Sequence, residues 1–206
     1  RANREAVVLV EQWPEWPGPF VIVAGPPGSG KTHLATIWQN ETGARRCDPH
    51  DLGSDDLDAA QAGRPLLIDG VEPEGFDEMA LFHIMNAVRA TGGSLLMTSA
   101  HWPGAWKVRT PDLRSRIQAA TTVEIEEPDD ELLFGVMAKL FADRQIKVEP
   151  AVIGYIAGRI ERSLASARLI VDRLDKASLA RKARITRSFA AAFVREHDAN
   201  QTEFEF

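Results

Sequence analysis

The stretch FVIVAGPPGSGKTHLATIWQNE, residues 20–41, decides the fold. FVIVA is a continuous apolar run of strand length, GPPGSGKT is a glycine-rich turn, and the residues from Lys31 to Glu41 predict a helix. A buried strand, a glycine loop and a helix in that order open a parallel α/β sheet. The turn, Gly25-Pro26-Pro27-Gly28-Ser29-Gly30-Lys31-Thr32, fits the G-x-x-x-x-G-K-[ST] pattern at every fixed position. Glycines let successive N–H groups turn inward toward phosphate oxygens, and the helix beyond Gly30 adds its positive N-terminal dipole. Lys31 then reaches the β- and γ-phosphates, and the Thr32 hydroxyl ligates Mg²⁺. The pattern points to a bound purine nucleotide, ADP or ATP.

Upstream, Asn3 is a good N-cap for a short helix reaching Trp13, with Ala6, Val7, Leu9 and Val10 as its apolar side. WPEWPGP, residues 13–19, is a proline-broken loop whose Trp13 and Trp16 are expected to pack on the core rather than on a base. Downstream, a short strand at Ala44–Cys47 precedes the acidic DPHDLGSDDLD, read as a solvated loop and helix start. PLLID, residues 65–69, is a second buried strand. Its terminal Asp69 is placed to hold Mg²⁺ through water beside the P-loop. The next position in such ATPases usually carries the carboxylate that orients the attacking water, and here it is Gly70; Glu72 and Glu74 lie past the strand end. A helix over Asp77–Ala90 is expected to set Met79, Phe82, His83 and Met85 near one side, with His83 a packed or half-exposed residue rather than a ligand. SLLMTS (94–99) and TTVEI (121–125) complete the strands, separated by a short helix bearing Arg114 and Arg116.

After Pro128 every segment reads as helix: one from Asp129, one from Pro150 to about Glu161, one from about Ser163 to Ala183, and one from about Thr186 to His197. The expected organisation is an α/β nucleotide-binding core over 1–127, a small helical domain over 128–198 and an acidic tail from 199 to 206. The QTEFEF at the end is read as solvated.

Composition sets outer bounds. Hydrophobic residues at 44% and charged residues at 26% exclude disordered and fibrous classes. No apolar run approaches the roughly 20 residues needed to cross a bilayer. The single Cys47 excludes an internal disulfide, reads as a small buried residue, and fits a cytoplasmic setting. A net charge of −6 argues against extensive direct duplex DNA binding. The chain opens on Arg1 rather than methionine, so a preceding segment is expected.

GKTHL, PLLID, FDEMALFHIMNAVRATG, LLMTSA, TPDLRSRI, TTVEIEEPDDELL and the helical tail from Arg159 to Glu196 together resemble the DnaA-type AAA+ ATPases, in order and spacing. The likeness is strongest to the branch that regulates the initiator, and the initiator's DNA-binding domain is expected to have no counterpart here. The resemblance implies a AAA+ core with a helical lid. It places Arg116 where the family has its arginine finger, aimed at a nucleotide on a neighbouring subunit, with Arg114 as the fallback. It expects a polar sensing residue where Ala100 stands, leaving Thr98 and Ser99 as substitutes, and a lid arginine where Ala165 stands, with Arg168 one turn on. Gly70, Ala100 and Ala165 all touch hydrolysis or sensing, and none touches phosphate cradling. The implied role is stimulation of hydrolysis of DnaA-bound ATP, with the chain's own nucleotide, ADP, as an assembly ligand. The implied partners are the DnaA AAA+ domain and the DNA sliding clamp, the latter through a glutamine-led peptide expected before Arg1; self-association stays open. An autonomous ATPase or loader, and a nucleotide-stabilised adaptor, are the alternatives.

Overall fold

A computed structural model describes residues 3–201. They fall into two compact units that divide between Glu126 and Glu127.

The first unit is built on β1 (Phe20–Ala24), β2 (Arg45–Cys47), β3 (Leu66–Val71), β4 (Leu95–Ser99) and β5 (Thr121–Glu124), paired in parallel in the order β2-β3-β4-β1-β5. All five residues of β1 are buried, as they are in β4. Side chains alternate across the sheet. Ile22, Leu66, Ile68, Leu95 and Met97 face one layer, while Val21, Val23, Leu67 and Leu96 face the other. The first layer is covered by α3 (Ser54–Gln61), α4 (Glu78–Thr91) and α5 (Pro111–Gln118), the second by α1 (Arg4–Glu11) and α2 (Lys31–Thr42). From β1 the chain runs out to β2, whereas from β4 it passes β1 to reach β5. Neighbouring strands leaving in opposite directions open a crevice at their carboxyl ends, where ligands of such sheets bind.

The tryptophans of the 13–19 loop pack on the core, as expected. Trp16 stacks on the buried Trp38 with ring centres 5.3 Å apart, Trp13 meets it edge-on at 6.3 Å, and Trp13 Nε1 donates to Ser94 Oγ at 3.0 Å. The expected face of α4 needs correction. Leu81, Ile84, Met85 and Val88 are the buried set, and Met79 is 58% exposed. Asp77 is the N-cap, its Oδ1 accepting from Met79 N–H at 2.8 Å and Ala80 N–H at 3.0 Å, so Met79 lies in the first turn, off the core stripe.

The second unit contains α6 (Asp130–Asp143), α7 (Pro150–Ala157), α8 (Leu164–Arg181) and α9 (Arg187–Gln201). Asp129 and Ser163 cap α6 and α8. Leu133, Met137, Phe141, Val152, Ile156, Val171 and Leu174 form its core. The second helix ends at Ala157 rather than near Glu161, with Gly158 as its C-cap. The last helix extends past His197 to Gln201, and residues 202–206 of the QTEFEF tail lie outside the described residues. Among the described residues no helix is long and apolar enough to cross a membrane.

Two outcomes test this architecture. Gly25, at φ +150°, lets β1 turn where an added Cβ would stand 2.1 Å from the Ile125 carbonyl oxygen. Gly25→Ala is expected to lower the unfolding free energy by roughly 2–4 kcal/mol in urea melts. Cys47 is buried, and burial reinforced by the Asp56 carboxylate pushes its thiol up to about 12. Ellman's reagent at pH 8 should therefore leave the native protein unlabelled and label the guanidinium-unfolded chain fully.

Candidate functional site

Four elements converge at the carboxyl ends of the central strands. The P-loop joins β1 to α2, and Gly25 N–H donates to the Ser99 carbonyl on β4 at 3.2 Å. Lys31, the first residue of α2, curls back so that Nζ donates to the carbonyls of Gly25 at 2.6 Å and Pro26 at 2.7 Å. Burial pulls its ammonium below the ordinary lysine value, and the carboxylates of Asp69 and Glu72 oppose that pull. Ser29 is fully buried and its Oγ has no hydrogen-bond partner. The loop thus combines a half-buried cation with the N–H groups of a helix start, the pairing that binds anions.

Asp69 is the hub. Its Oδ1 accepts from Thr32 Oγ1 at 3.2 Å and Thr98 Oγ1 at 2.6 Å, and its Oδ2 accepts from Arg46 Nη2 at 2.6 Å. Thr32 comes from α2, Thr98 from β4 and Arg46 from β2. The side chain of Asp69 is only 7% exposed, so these donors replace the water it gave up. Thr32 and Asp69, both expected from the sequence as metal-side residues, are brought together. Their hydroxyl and carboxylate oxygens suit Mg²⁺, which at phosphate sites takes one or two protein oxygens and draws the rest from phosphate and water.

Gly70 has a conformational reason to be glycine. Ile68 pairs with Met97 and Val71 with Ser99, so Asp69 and Gly70 together face the single residue Thr98, a β-bulge. Gly70 sits at φ +84° and its N–H donates to Thr98 Oγ1 at 2.8 Å. A side-chain-bearing residue would be strained by about 1–2 kcal/mol in this left-handed conformation. Of the two proposed substitutes for Ala100, Thr98 joins the site, whereas buried Ser99 uses its Oγ to accept from His101 N–H at 3.0 Å. Glu74 pairs with Lys107, and Glu72 is exposed beyond the bulge.

Arg116 stands apart from this cluster. Its guanidinium carbon lies 5.0 Å from the centre of the Phe82 ring, and its Nη1 is buried without a hydrogen-bond partner. Arg114 is committed to its own backbone, with Nε and Nη2 donating to the Val108 carbonyl at 3.1 and 2.6 Å. The helix bearing both is pinned at its start by Glu78. That carboxylate accepts from the N–H groups of Arg109 and Thr110, both at 2.9 Å, and from Thr110 Oγ1 at 2.8 Å. The Arg109 N–H is the largest of the influences that hold Glu78 below the usual carboxylate range. In the second unit, Arg168 and Ala165 both lie on the exposed side of α8.

Three residues of this region escaped sequence reasoning in these roles: Arg46, Phe82 and Asn3. Asn3 makes no side-chain capping bond; its Nδ2 instead approaches the Ser29 carbonyl at 3.5 Å, and its buried Oδ1 lacks a partner. Arg46 was legible only as part of a short strand, because nothing in the sequence gives the β2–β3 register that sets it beside Asp69.

A family model described as the Hda lid domain matches residues 132–194. An uncharacterized protein of Haemophilus influenzae is 28% identical over 183 residues, covering 83% of this chain and 79% of that protein. The chromosomal replication initiator DnaA of Cutibacterium acnes is 25% identical over 185 residues; the match takes in 79% of this chain and only 37% of the initiator. Among solved structures, domain III of Thermotoga maritima DnaA superposes with a TM-score of 0.77 at 19% identity, covering 95% of this chain and 92% of that one. AMPPCP-bound DnaA of Aquifex aeolicus gives 0.70 at 21% identity, with 85% and 62% covered. At such identities the structures establish the fold, a AAA+ core with a helical lid. The lid match and the initiator relative carry the likeness further: residues 132–194 fit the Hda lid model, and the chain is similar over most of its length to DnaA-type AAA+ proteins.

Proposed function

We propose that this chain binds a purine nucleotide, ADP or ATP with Mg²⁺, in the P-loop and regulates replication initiation by stimulating hydrolysis of ATP held by DnaA. Gly25 to Thr32 cradle the phosphates, Lys31 leaves the loop carbonyls for the terminal phosphate oxygens, and Thr32 and Asp69 meet the metal ion, Asp69 through water. Nucleotide binding is supported by the half-buried Lys31 at the start of α2 and by the AMPPCP carried by the Aquifex aeolicus DnaA of like fold. ADP is the resident form in this reading, because Gly70 supplies no carboxylate to orient water and its bulge resists one.

The observation that carries the regulatory role is the contrast between the two arginines of α5. Arg114 is tied to Val108, while Arg116 is steadied by an aromatic face that leaves its Nη1 without a partner. A guanidinium oriented by a ring and short of acceptors is suited to charge spread over a phosphoryl group. Arg116 would act in trans on the initiator's ATP, in the cytoplasm and in association with the sliding clamp.

Two measurements test this. Lys31→Ala should weaken nucleotide binding about 10- to 100-fold in equilibrium titrations. Arg116→Ala should leave that affinity unchanged yet cut the stimulated hydrolysis by reconstituted DnaA by about 10³-fold. Full stimulation by the Arg116 variant would exclude the finger role, and rapid turnover by the isolated chain would favour an autonomous ATPase instead.

A further inference from the structure

Among the described residues, Arg46 is the one cation in the Asp69 cluster that neither the P-loop nor the finger accounts for. It projects from β2, and its Nη2 lies 2.6 Å from Asp69 Oδ2. Thr32 and Thr98 engage the other oxygen, so both oxygens of this carboxylate are satisfied by protein donors. Arg46 is 46% exposed while Asp69 is 7% exposed, so the guanidinium covers a buried charge and keeps an open side of its own. A metal ion at such a site does two things: it neutralises the carboxylate beside the phosphates, and it bridges phosphate oxygens. Arg46 already does the first.

We infer that Arg46 is a built-in counter-cation for Asp69, which lets this site take a nucleoside diphosphate with little dependence on Mg²⁺. The inference rests on the nucleotide-binding reading above. Its physical basis is the charge balance around the P-loop. Lys31 feels the carboxylates of both Asp69 and Glu72. With Arg46 present, two cations face two carboxylates and an incoming diphosphate meets a neutral surround. Without it, Lys31 alone faces both, and the diphosphate is repelled from a poorly hydrated anion unless a divalent ion intervenes. A diphosphate has no γ-phosphoryl group to be bridged, so the second task of the metal weighs less. A guanidinium, always charged and able to donate from several N–H groups, can hold Asp69 and still offer a donor to a phosphate oxygen.

A purely structural ion pair at this place would affect stability and leave metal dependence untouched. The test therefore reads metal dependence. Fluorescent N-methylanthraniloyl-ADP is titrated into the full chain, its Arg46→Gln variant and its Arg46→Lys variant, each in excess Mg²⁺ and in excess EDTA. The dissociation constant of the unsubstituted chain is expected to change less than about threefold on chelation, and that of Arg46→Gln more than about tenfold. Arg46→Lys, which keeps the charge, should behave like the unsubstituted chain, and it stays informative if Arg46→Gln folds poorly. A similar loss on chelation in all three proteins overturns the inference and leaves the P-loop reading intact. Absence of binding by the unsubstituted chain under both conditions overturns both.

Discussion

The carboxylate of Asp69 is the constraint around which the core is organised. A charge with 7% exposure must be satisfied by the protein, and the groups that satisfy it arrive from three directions. Thr32 ties it to the first turn of α2, Thr98 to β4, and Arg46 to β2. One side chain thus fixes the carboxyl ends of three neighbouring strands relative to the P-loop. The parallel sheet makes this possible, since it gathers strand ends and helix starts along one edge.

Thr98 has a double part in that arrangement. It gives its hydroxyl proton to Asp69 and receives the Gly70 N–H, closing the bulge that sets two residues of β3 against one of β4. The bulge explains why the residue after Asp69 carries no side chain. It also shows how one backbone feature affects chemistry: the conformation that satisfies Asp69 disfavours a carboxylate next to it. Arg116, whose Nη1 has no hydrogen-bond partner, sits elsewhere, on a helix whose entry Glu78 fastens.

The lid unit follows simpler rules. Pro150 begins one helix, and the capping residues Asp129 and Ser163 begin two others. Apolar residues at helical spacing bury one core among Leu133, Met137, Phe141, Val152, Ile156, Val171 and Leu174. Arg144 adds an ion pair with Asp172 across α6 and α8.

Much of this was legible in residue order. The apolar runs of β1, β3 and β4 announced strands buried on both faces, because only a sheet covered by helices on each side tolerates such runs. GPPGSGKT announced the phosphate loop because its chemistry is backbone chemistry, local to eight residues. Prolines and caps announced the helix starts. What escaped depends on register and on side-chain direction. Arg46 and Asp69 are far apart in sequence and meet only because β2 pairs with β3; Arg116 and Phe82 meet only because α5 packs beside α4. The buried stripe of α4 differs from the sequence expectation for a related reason, since Asp77 as cap turns Met79 away from the sheet. The sequence by itself determined the phosphate loop, the buried strands and the division into core and helical unit, all of which follow from local patterns. Only the tertiary structure decided which charges neutralise one another, because that depends on distances between strands that no local pattern encodes.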